Sequence, residues 1–467
     1  MEGFEVKTVD VVTIGAGGGA YPAGFRLAKS GMDVVMIDDK GVMSGNCLAE
    51  GCVPSKAIRE SVNLYRISKK FDFWGLDGQV AFEYKKIIAH KDNVQKFRYA
   101  QHAEELKEAL PHLQLVKGHA RFLDDHTLEV KTEKEEEVYR AKRAIIVASG
   151  SETSILPING ADLCITSHDI FSMNPKLQTL PKTMTIIGGG YIALETATFF
   201  NELGTKVKLF KRSDRILSDE VDLRFSQTLR QFLDPNIEIV TGARVMEVEK
   251  VQDGYRMSYV KDDKTESVTS DIVMMAVGRR SVIPEGADKI GIKTEHGRII
   301  VNNAMQTNIP HIYAPGDVNG LSMLFHSAVR QSLVAANNIM AGNTPIDYMN
   351  FKTVPTTVFT FPEGAYVGIL PDEAKSKGIK LVETSSPFKI DARAQIFGEM
   401  DGEIREFFDA ETMKIVGAWV IGLDAGLLIG ELARLVEGGF TVKEVAEFAD
   451  QHPTTAEGIV KAARKLI

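Results

Sequence analysis

Two cysteines five positions apart are the residues of this sequence best suited to chemistry. Cys47 and Cys52 belong to a chain that has three cysteines in all. On a regular helix, side chains at this spacing diverge by about 140°, so their sulfurs can bond only where the backbone departs from helical geometry. Gly51 and Pro54 predict such a departure. The pair therefore indicates redox chemistry, and a nearby helix N-terminus would favour the reactive thiolate.

Two other interpretations of this cysteine pair stay open. A zinc site usually takes further Cys or His ligands, and none is close in the sequence, so we predict no metal site. Alternatively, both cysteines are buried structural residues. The third cysteine, Cys164, stands alone and is expected to be a small core residue.

A histidine near the C-terminus is a candidate acid or base. His452 is followed by Pro-Thr-Thr-Ala and then by Glu457. The carboxylate could orient the imidazole for proton transfer. A lone histidine is more often structural, so this pattern alone leaves both roles open.

The first of two glycine-rich loops has the pattern Gly15-x-Gly17-x-x-Ala20. It follows a strand-like run over 9–14 and precedes a segment of helical spacing, so its backbone can approach a pyrophosphate at the helix N-terminus. Asp38, at the end of the next strand-like run, can bind ribose hydroxyls. A glycine turn without a ligand is the alternative.

The second loop, Gly188-x-Gly190-x-x-Ala193, has the same context. Where a ribose-binding acid is expected, the sequence has Lys211 and Arg212 instead. Cations at this position suit a 2′-phosphate, which favours NADP over NAD. A solvated basic turn is the alternative.

The elements that must position these residues repeat one order: strand, glycine loop, helix, strand. The repeat predicts an α/β protein with two Rossmann-like, dinucleotide-binding domains. Further on, β-rich stretches over 356–360 and 414–421 precede helical spacing over 427–437 and 442–448, which predicts an α+β C-terminal domain.

The composition excludes several classes of protein. The 467 residues, 44% hydrophobic and 25% charged, fit a globular chain of several domains. The net charge of −8 does not favour a nucleic-acid partner. No apolar run reaches the roughly 18 residues of a membrane span, and the first residues lack signal-peptide features. We therefore expect a soluble, cytoplasmic protein.

Motifs along nearly the whole chain resemble the class I FAD-dependent pyridine nucleotide-disulfide oxidoreductases, and most closely their dihydrolipoamide dehydrogenase branch. The motifs that carry the resemblance are Cys47 to Cys52 with Pro54-Ser55-Lys56, Gly188-Gly-Gly-Tyr-Ile-Ala-Leu-Glu195, Ala276-Val-Gly-Arg279, Ile312-Tyr-Ala-Pro-Gly-Asp317, Met323-Leu-Phe-His326 and His452-Pro-Thr-x-x-Glu457.

The resemblance implies a role for each catalytic candidate. Cys52 is implied to be the flavin-side thiol, and Cys47 the outer thiol that exchanges with the substrate. Lys56 and Glu195 resemble the family's ion pair beside the flavin. His452, held by Glu457, is implied to be the acid–base that the other subunit contributes, and Tyr191 to cover the nicotinamide pocket.

FAD and either NADP or NAD are the implied cofactors. The first loop and Asp38 are implied to bind the ADP half of FAD, and Asp317 its ribityl or pyrophosphate part. The cofactor-binding residues expected from the loops and the resemblance are Gly15, Gly17, Ala20, Asp38, Lys56, Gly150, Gly188, Gly190, Tyr191, Ala193, Lys211, Arg212, Gly278, Arg279, Gly316, Asp317, Met323, Leu324 and His326. The implied domains are an FAD-binding domain (1–150 and 281–346), an NAD(P)-binding domain (151–280) and a dimerisation domain (347–467).

Three positions depart from the family pattern. Ala20 replaces the usual third glycine of the first loop, and Asn46 stands where a threonine is usual. Between the cysteines, Glu50 replaces an apolar residue, and its negative charge would raise a thiol pKa.

The implied reaction passes electrons between a dithiol or disulfide substrate, the Cys47–Cys52 disulfide, FAD and NAD(P). The alternative is an NADPH-dependent reductase of a low-molecular-weight disulfide, similar to glutathione reductase, which Lys211 and Arg212 favour. Mercuric reductase is disfavoured because no cysteine follows Cys164. A non-catalytic flavoprotein is disfavoured because it would not need both cysteines and the histidine–glutamate pair.

The expected partners follow from the same resemblance. They are a second copy of the chain in a homodimer, and a free or protein-bound lipoyl group as substrate. A 2-oxoacid dehydrogenase or glycine cleavage complex is the expected larger assembly, with no nucleic acid and no membrane.

Overall fold

The computed structural model describes residues 5–467 of the chain. The α-helices, in chain order, are α1 (Tyr21–Lys29), α2 (Gly45–Ala49), α3 (Cys52–Ser68), α4 (Tyr84–Ala109), α5 (His168–Phe171), α6 (Tyr191–Glu202), α7 (Leu223–Phe232), α8 (Phe325–Met340), α9 (Pro371–Lys377), α10 (Ala392–Phe397), α11 (Ala425–Gly438), α12 (Val442–Ala446) and α13 (Glu457–Ala463).

The strands, in the same order, are β1 (Val6–Ile14), β2 (Val34–Asp38), β3 (Leu113–Lys117), β4 (His119–Phe122), β5 (Thr127–Lys131), β6 (Glu136–Val147), β7 (Ser151–Thr153), β8 (Thr183–Ile187), β9 (Lys206–Phe210), β10 (Glu238–Val240), β11 (Arg244–Val251), β12 (Gly254–Lys261), β13 (Lys264–Ser270), β14 (Ile272–Met275), β15 (Arg279–Ser281), β16 (Thr294–Glu295), β17 (Arg298–Ile299), β18 (Ile312–Tyr313), β19 (Thr356–Val358), β20 (Glu363–Gly368), β21 (Leu381–Pro387), β22 (Glu403–Asp409) and β23 (Ile415–Gly422).

The first sheet has the strand order β3-β2-β1-β6-β5-β4, with β18 paired to β6. Strands β3, β2, β1, β6 and β18 run parallel, so their carboxyl ends meet at one edge. Val11 and Val34 pack on one face of this sheet, whereas Val12 and Val35 pack on the other. Both faces are therefore buried, which explains why the last four residues of β1 and the first four of β2 are mainly apolar and all buried.

The chain leaves the first sheet through β7 and returns to it through β15. These two strands pair with each other in antiparallel register, with Ser151 opposite Ser281 and Thr153 opposite Arg279. Between them lies a second parallel sheet of order β10-β9-β8-β14, together with the antiparallel sheet β11-β12-β13. Helix α6 follows β8, so the second glycine loop has the same strand-to-helix setting as the first.

The C-terminal sheet is antiparallel, with the order β19-β20-β23-β22-β21. Ala418 and Val420 pack in the core shared with α11 and α13. Trp419, on the opposite face, is fully buried in a core that includes Phe225 and Leu229 of α7. The C-terminal sheet is therefore anchored to the second parallel unit as well as to its own helices.

The predicted fold class is confirmed: two parallel α/β units are followed by an α+β unit. The sequence did not predict β20, β21 and β22. Helix α8 starts at Phe325, eight residues after Asp317, because a short 3₁₀ turn and a loop lie between them. Within the described part of the chain, every helix is too short or too polar to cross a bilayer.

Candidate active site

The two cysteines lie on either side of a break between two helices. Cys47 is in α2, which ends at Ala49, and Cys52 is the first residue of α3. Gly51 makes this break possible, because a Cβ at this position would lie 2.9 Å from the Asn46 carbonyl oxygen. The expectation that Pro54 contributes to the break is wrong. It lies in the first turn of α3, where a helix needs no backbone N–H donor.

The two thiols have opposite electrostatic settings. A hydrogen bond from Cys47 lowers the pKa of Cys52, and the Lys56 charge lowers it further. The same hydrogen bond raises the pKa of Cys47, and burial adds to the rise. Cys52 also begins a helix of 17 residues, whose N-terminus favours an anion. In the dithiol form, Cys52 is therefore the first of the two thiols to ionise, and Cys47 keeps its proton to a higher pH.

Glu50 does not act on the thiols as the sequence suggested. Its carboxylate lies 2.5 Å from His168 Nδ1 and 4.0 Å from the Arg279 guanidinium. The charge of Glu50 is therefore directed towards these two groups of the second unit. The raised pKa of Cys47 has a different cause, the hydrogen bond to Cys52.

An ion pair links α3, the helix that Cys52 begins, to α6, the helix that follows the second glycine loop. Lys56 Nζ of α3 lies 2.6 Å from Glu195 Oε2 of α6. The other Glu195 oxygen accepts a hydrogen bond of 3.1 Å from the Phe359 backbone N–H. Both oxygens of this nearly buried carboxylate are thus satisfied, which a buried charge requires. The pair fixes α3 against the helix that follows the second loop.

The first glycine loop lies directly against the segment 44–52, which carries both cysteines and is called the redox turn below. The Ser44 N–H donates to the Ala16 carbonyl oxygen at 3.0 Å. The Ala16 N–H in turn donates to Asp38 Oδ2 at 3.2 Å. Gly15 has φ +99°, and a Cβ there would lie 2.3 Å from the Ala148 carbonyl oxygen, so the turn requires glycine. The redox turn therefore lies between the two glycine loops, with α2 on the first and α3 tied to the second.

Ser151 connects several of the expected cofactor residues, and sequence reasoning missed it. Its hydroxyl donates to Asp317 Oδ2 at 2.5 Å and accepts from Arg279 Nε at 2.8 Å. Its carbonyl oxygen accepts from the Asn46 amide at 2.7 Å. Burial raises the pKa of Asp317. The available signal was its place directly after Gly150, at the carboxyl edge of a parallel sheet, where polar residues usually serve a ligand.

Tyr191 lies at the start of α6, directly after the second loop. Its hydroxyl is 2.7 Å from that of Tyr366 in the C-terminal sheet. Burial raises the pKa of both phenols, so each stays protonated across the physiological pH range. The side chain expected to cover the nicotinamide pocket is thus tethered to the C-terminal unit.

The two cations after β9 have different surroundings. The Lys211 side chain lies over the second loop, with its carbons within 3.2 Å of where a Cβ of Gly189 would be. Arg212 instead lines an open cavity of about 580 Å³ together with Arg215 and Arg230. The cavity thus combines one expected cation with two that the sequence analysis did not select.

The remaining expected cofactor residues occupy two kinds of place. Ala20 and Ala193 are fully buried, so they pack the helices that follow the loops. Met323, Leu324 and His326 lie around the start of α8. His326 is exposed, and its Nε2 is 2.8 Å from the Pro355 carbonyl oxygen.

The glycines among the expected residues mark turns of the loops. Those with φ in the left-handed half of the map are Gly15, Gly150, Gly188, Gly278 and Gly316.

His452 and Glu457 form the expected pair. Nδ1 of the imidazole is 2.6 Å from Glu457 Oε1. Burial alone would raise the pKa of Glu457, but hydrogen bonds from Lys461 and His452 outweigh it and lower that pKa. The His452 side chain is 70% exposed. Within residues 5–467 of one chain, the hydrogen bonds of its ring and backbone are with Glu457 and Gln451, and none reaches a cysteine.

A buried polar network on α4 supports the redox turn, and sequence reasoning missed this as well. The Gln95 amide donates at 2.9 Å to the carbonyl oxygens of both Leu48 and Ala49, at the end of α2. Lys91 is fully buried and donates to Gln95 Oε1 at 3.0 Å and to the Ser172 carbonyl oxygen at 2.6 Å. The pattern of α4 gave no signal, because lysine and glutamine are ordinary residues of an exposed helical face.

The donor sets fit the two cofactors that the loops suggest. At the first loop, Asp38 presents a carboxylate at the end of β2, and Asp317 holds a half-buried one whose side-chain partner is Ser151. Space is open beside Gly150, Gly190 and Gly278, since a Cβ added at any of them would meet no atom within 4 Å. A dinucleotide needs acceptors for its hydroxyl groups and bare backbone at a helix N-terminus for its pyrophosphate, and both are present. A flavin that exchanges electrons with a thiol needs that thiol to be accessible, and Cys52 is exposed.

Comparisons with known proteins match nearly the whole length of the chain. Residues 9–332 match the pyridine nucleotide-disulphide oxidoreductase family, and residues 354–463 match its dimerisation domain. The chain is 33% identical to dihydrolipoyl dehydrogenase of Thermus scotoductus, over 99% of this chain and 98% of that protein. It is 32% identical to dihydrolipoyl dehydrogenase of Geobacillus stearothermophilus, over 98% and 96% of the two chains. The crystal structure of LpdA from Mycobacterium tuberculosis has the same fold, with a TM-score of 0.88 at 23% identity, covering 98% of this chain and all of that one.

Proposed function

The chain belongs to the pyridine nucleotide-disulphide oxidoreductase family, and we propose that it catalyses the dihydrolipoyl dehydrogenase reaction. In that reaction a dihydrolipoyl dithiol loses two electrons and two protons to become its disulfide. NAD(P)⁺ takes up both electrons and one of the protons as a hydride equivalent, and the second proton is released to solvent. The observation that carries the proposal is the position of the redox turn, with α2 against the first glycine loop and α3 paired to α6 through Lys56 and Glu195. Full-length relatives with this activity support it.

The two cysteines divide the work in this proposal. Cys47 exchanges with the substrate sulfur, and Cys52 faces the flavin. When bound, FAD supplies a two-electron carrier between the thiols and the nicotinamide. The pKa shifts favour this division, because Cys52 ionises more readily than Cys47, and Cys47 holds a proton that exchange must remove.

We propose that His452 of one subunit receives that proton from Cys47 of the other subunit. The Glu457 carboxylate on Nδ1 leaves Nε2 of the imidazole free and directed to solvent. Since no cysteine is hydrogen-bonded to His452 within residues 5–467 of one chain, a second copy of the chain is the natural source of the thiol. The match to a dimerisation domain supports a homodimer.

The domain assignment follows from the course of the chain. We assign residues 1–150 and 281–346 to FAD binding, 151–280 to NAD(P) binding and 347–467 to dimerisation. The proposed larger partner is a 2-oxoacid dehydrogenase or glycine cleavage complex that carries a lipoyl group. The proposed location is the cytoplasm, since a chain of 467 residues with three cysteines has no disulfide framework suited to an oxidising compartment.

A second candidate function rests on the cavity lined by Arg212, Arg215 and Arg230. Three guanidinium groups suit a 2′-phosphate, which favours NADPH and a reductase of a low-molecular-weight disulfide. Arg215 is partly engaged with Asp219, at 3.4 Å, so the cavity is not purely basic.

The experiment that tests both candidates is a matrix of substrates and cofactors with the FAD-loaded protein. Dihydrolipoamide is tested with NAD⁺ and NADP⁺, and lipoamide and oxidised glutathione with NADH and NADPH. The first proposal expects turnover of the lipoyl pair to exceed that of glutathione by more than tenfold. Turnover of glutathione disulfide with NADPH, without turnover of lipoamide, would replace it with the second.

A further inference from the structure

The ring of Phe359 lies over the ammonium group of the Lys56–Glu195 ion pair. Phe359 belongs to the C-terminal unit, in the turn between β19 and β20. Its ring centroid is 4.3 Å from Lys56 Nζ, and its backbone N–H donates to Glu195 Oε1 at 3.1 Å. One residue therefore contacts both charged groups of the pair. We propose that Phe359 is a positioning residue, which holds the Lys56 ammonium beside Cys52 in the redox turn.

The Lys56 side chain needs an external contact to stay in one place. It lies four residues after Cys52 on α3, so the two side chains project from the same face of that helix. Besides Glu195, the polar group near its ammonium is Ser55 Oγ, at 3.3 Å. The Lys56 side chain is 33% exposed, and its long stem can adopt many rotamers. An aromatic face within about 6 Å of an ammonium attracts it and so reduces that freedom.

The ring that contacts Lys56 is itself fixed. Its Cε1 atom is 3.3 Å from where a Cβ of Gly426 would be, so the edge of the ring packs against the start of α11. The Phe359 carbonyl oxygen accepts from Arg59 Nε at 3.0 Å, and Arg59 forms an ion pair of 2.7 Å with Glu363. The N–H and the carbonyl oxygen of Phe359 are thus both bonded, so the C-terminal unit determines where the aromatic face lies.

The neighbouring aromatic ring faces other cations. Phe361 lies two residues further along the same turn, and its ring centroid is 4.7 Å from the guanidinium carbon of Arg59 and 5.0 Å from that of Arg66. The turn between β19 and β20 therefore presents two rings to α3, and Phe359 is the one that lies on Lys56.

The proposed role concerns the charge that acts on Cys52. Among the groups that lower the pKa of Cys52, the hydrogen bond from Cys47 comes first and the Lys56 charge second. The effect of a charge weakens with distance and with exposure to water. Without the ring, the Lys56 ammonium would spend more time in solvent, and its effect on the thiol would decrease. The inference rests on the proposed function only in taking Cys52 as the thiol that faces the flavin.

A double-mutant cycle on the FAD-loaded enzyme tests the proposal. All variants carry Cys47→Ser, so that Cys52 titrates without a second thiol. The pKa of Cys52 is read from the pH dependence of the long-wavelength absorption that a thiolate gives beside an oxidised flavin. Lys56→Met should raise this pKa when Phe359 is present. In Phe359→Leu, the increase caused by Lys56→Met should be smaller by roughly half or more.

Two further variants separate the ring from general packing. Phe359→Tyr keeps an aromatic face and should keep the full effect of Lys56→Met. Phe361→Leu is the matched control, because it makes the same change in the ring that faces Arg59 and Arg66, and it should also keep the full effect. Should Phe359→Leu fail to fold, a ring-fluorinated phenylalanine at the same position has nearly the same shape but a less negative ring face, and should reduce the effect.

The proposal is overturned if the effect of Lys56→Met is unchanged or larger in Phe359→Leu or in the fluorinated enzyme. It is equally overturned if Lys56→Met leaves the pKa of Cys52 unchanged while Phe359 is present. The titration uses neither a dithiol substrate nor a nicotinamide nucleotide. Failure of the enzyme to turn over dihydrolipoamide would therefore refute the proposed function and leave this result as it stands.

Discussion

Lys56 Nζ lies 2.6 Å from Glu195 Oε2, and both charges act on the Cys52 thiol. The ammonium lowers the pKa of Cys52, whereas the carboxylate raises it. After the hydrogen bond from Cys47, which lowers this pKa most, the thiol therefore responds to the balance of a charged pair rather than to one cation.

This balance predicts opposite effects for two variants. Lys56→Met should raise the pKa of Cys52, and Glu195→Gln should lower it. The measurement is the pH dependence of alkylation of Cys52 in the reduced, FAD-free protein, where the thiolate is the species that reacts. Shifts in the same direction for both variants would show that the ion pair acts through structure instead of charge.

Gln95 is predicted to be needed for the geometry of the redox turn. Gln95→Leu leaves the carbonyl oxygens of Leu48 and Ala49 without their donor, which typically costs about 1–3 kcal/mol per buried group. We expect lower stability towards urea and slower disulfide exchange at Cys47. Gln101→Leu, on the exposed side of the same helix, should change neither.

Glu406 should make the fold less stable as the pH rises. Its side chain is fully buried in the C-terminal sheet, and its two oxygens have no hydrogen-bond partner. Burial raises its pKa well above the usual value, so the folded chain keeps this proton to a higher pH than the unfolded chain does. The contribution of Glu406 to the free energy of unfolding is complete below the pKa that its carboxyl has in the unfolded chain. It is lost by at most about 1.4 kcal/mol per pH unit as the pH rises towards the folded pKa.

Glu406→Met removes that proton linkage. The variant should be more stable than the unmodified chain at pH 8, and this advantage should shrink towards pH 5. Urea unfolding at a series of pH values measures the difference. Glu411→Gln, at an exposed turn, is the control that should leave the pH profile unchanged. An advantage of the Met variant that is equal at all pH values would mean that packing, not ionisation, is responsible.

Complementation between two inactive variants tests whether His452 serves the partner subunit. Cys47→Ser and His452→Gln should each be nearly inactive alone. After mixed unfolding and refolding, random pairing gives heterodimers in half of the population, each with one intact site of two. Activity should return to about one quarter of that of the unmodified enzyme. Heterodimers without activity would place His452 on its own chain or outside the reaction.

The cations after β9 should set the preference for NADPH. Each charge-assisted hydrogen bond to a 2′-phosphate is worth roughly 1.5–3 kcal/mol. Changing both Lys211 and Arg212 to Gln should weaken NADPH by more than tenfold and leave NADH nearly unchanged. Arg212→Gln should account for most of the loss, because Lys211 lies over the loop. Lys208→Gln is the control, since Lys208 pairs with Glu238.

The sequence predicted those parts of the site in which the chemistry is local. The break between the cysteines follows from Gly51, and the His452–Glu457 hydrogen bond joins residues five positions apart. The fold class followed from two loops, each with its own strand and helix. Local spacing was sufficient for these features because each depends on backbone geometry within a few turns.

Features that join distant segments could not be predicted in this way. Gln95 reaches α2 across 46 positions, and Tyr191 meets Tyr366 across 175. His311 is 186 positions from the carbonyl oxygen to which it hydrogen-bonds. Glu406 occupies a strand that the sequence analysis missed, and nothing in its neighbours marks it as buried. Such contacts depend on how sheets are ordered and packed, which the local pattern does not contain.

The antiparallel pair of β7 and β15 has a consequence for how proteins of this kind could change over time. The stretch between Thr153 and Arg279 begins and ends at one antiparallel pair of strands, so its two ends are adjacent. An insertion into this stretch, or its replacement, would leave those two ends where they are. The unit of the first sheet could therefore keep its shape while the unit of the second parallel sheet is remodelled or exchanged. The chain is built so that its electron donor or acceptor can diversify independently of the scaffold that carries the thiols.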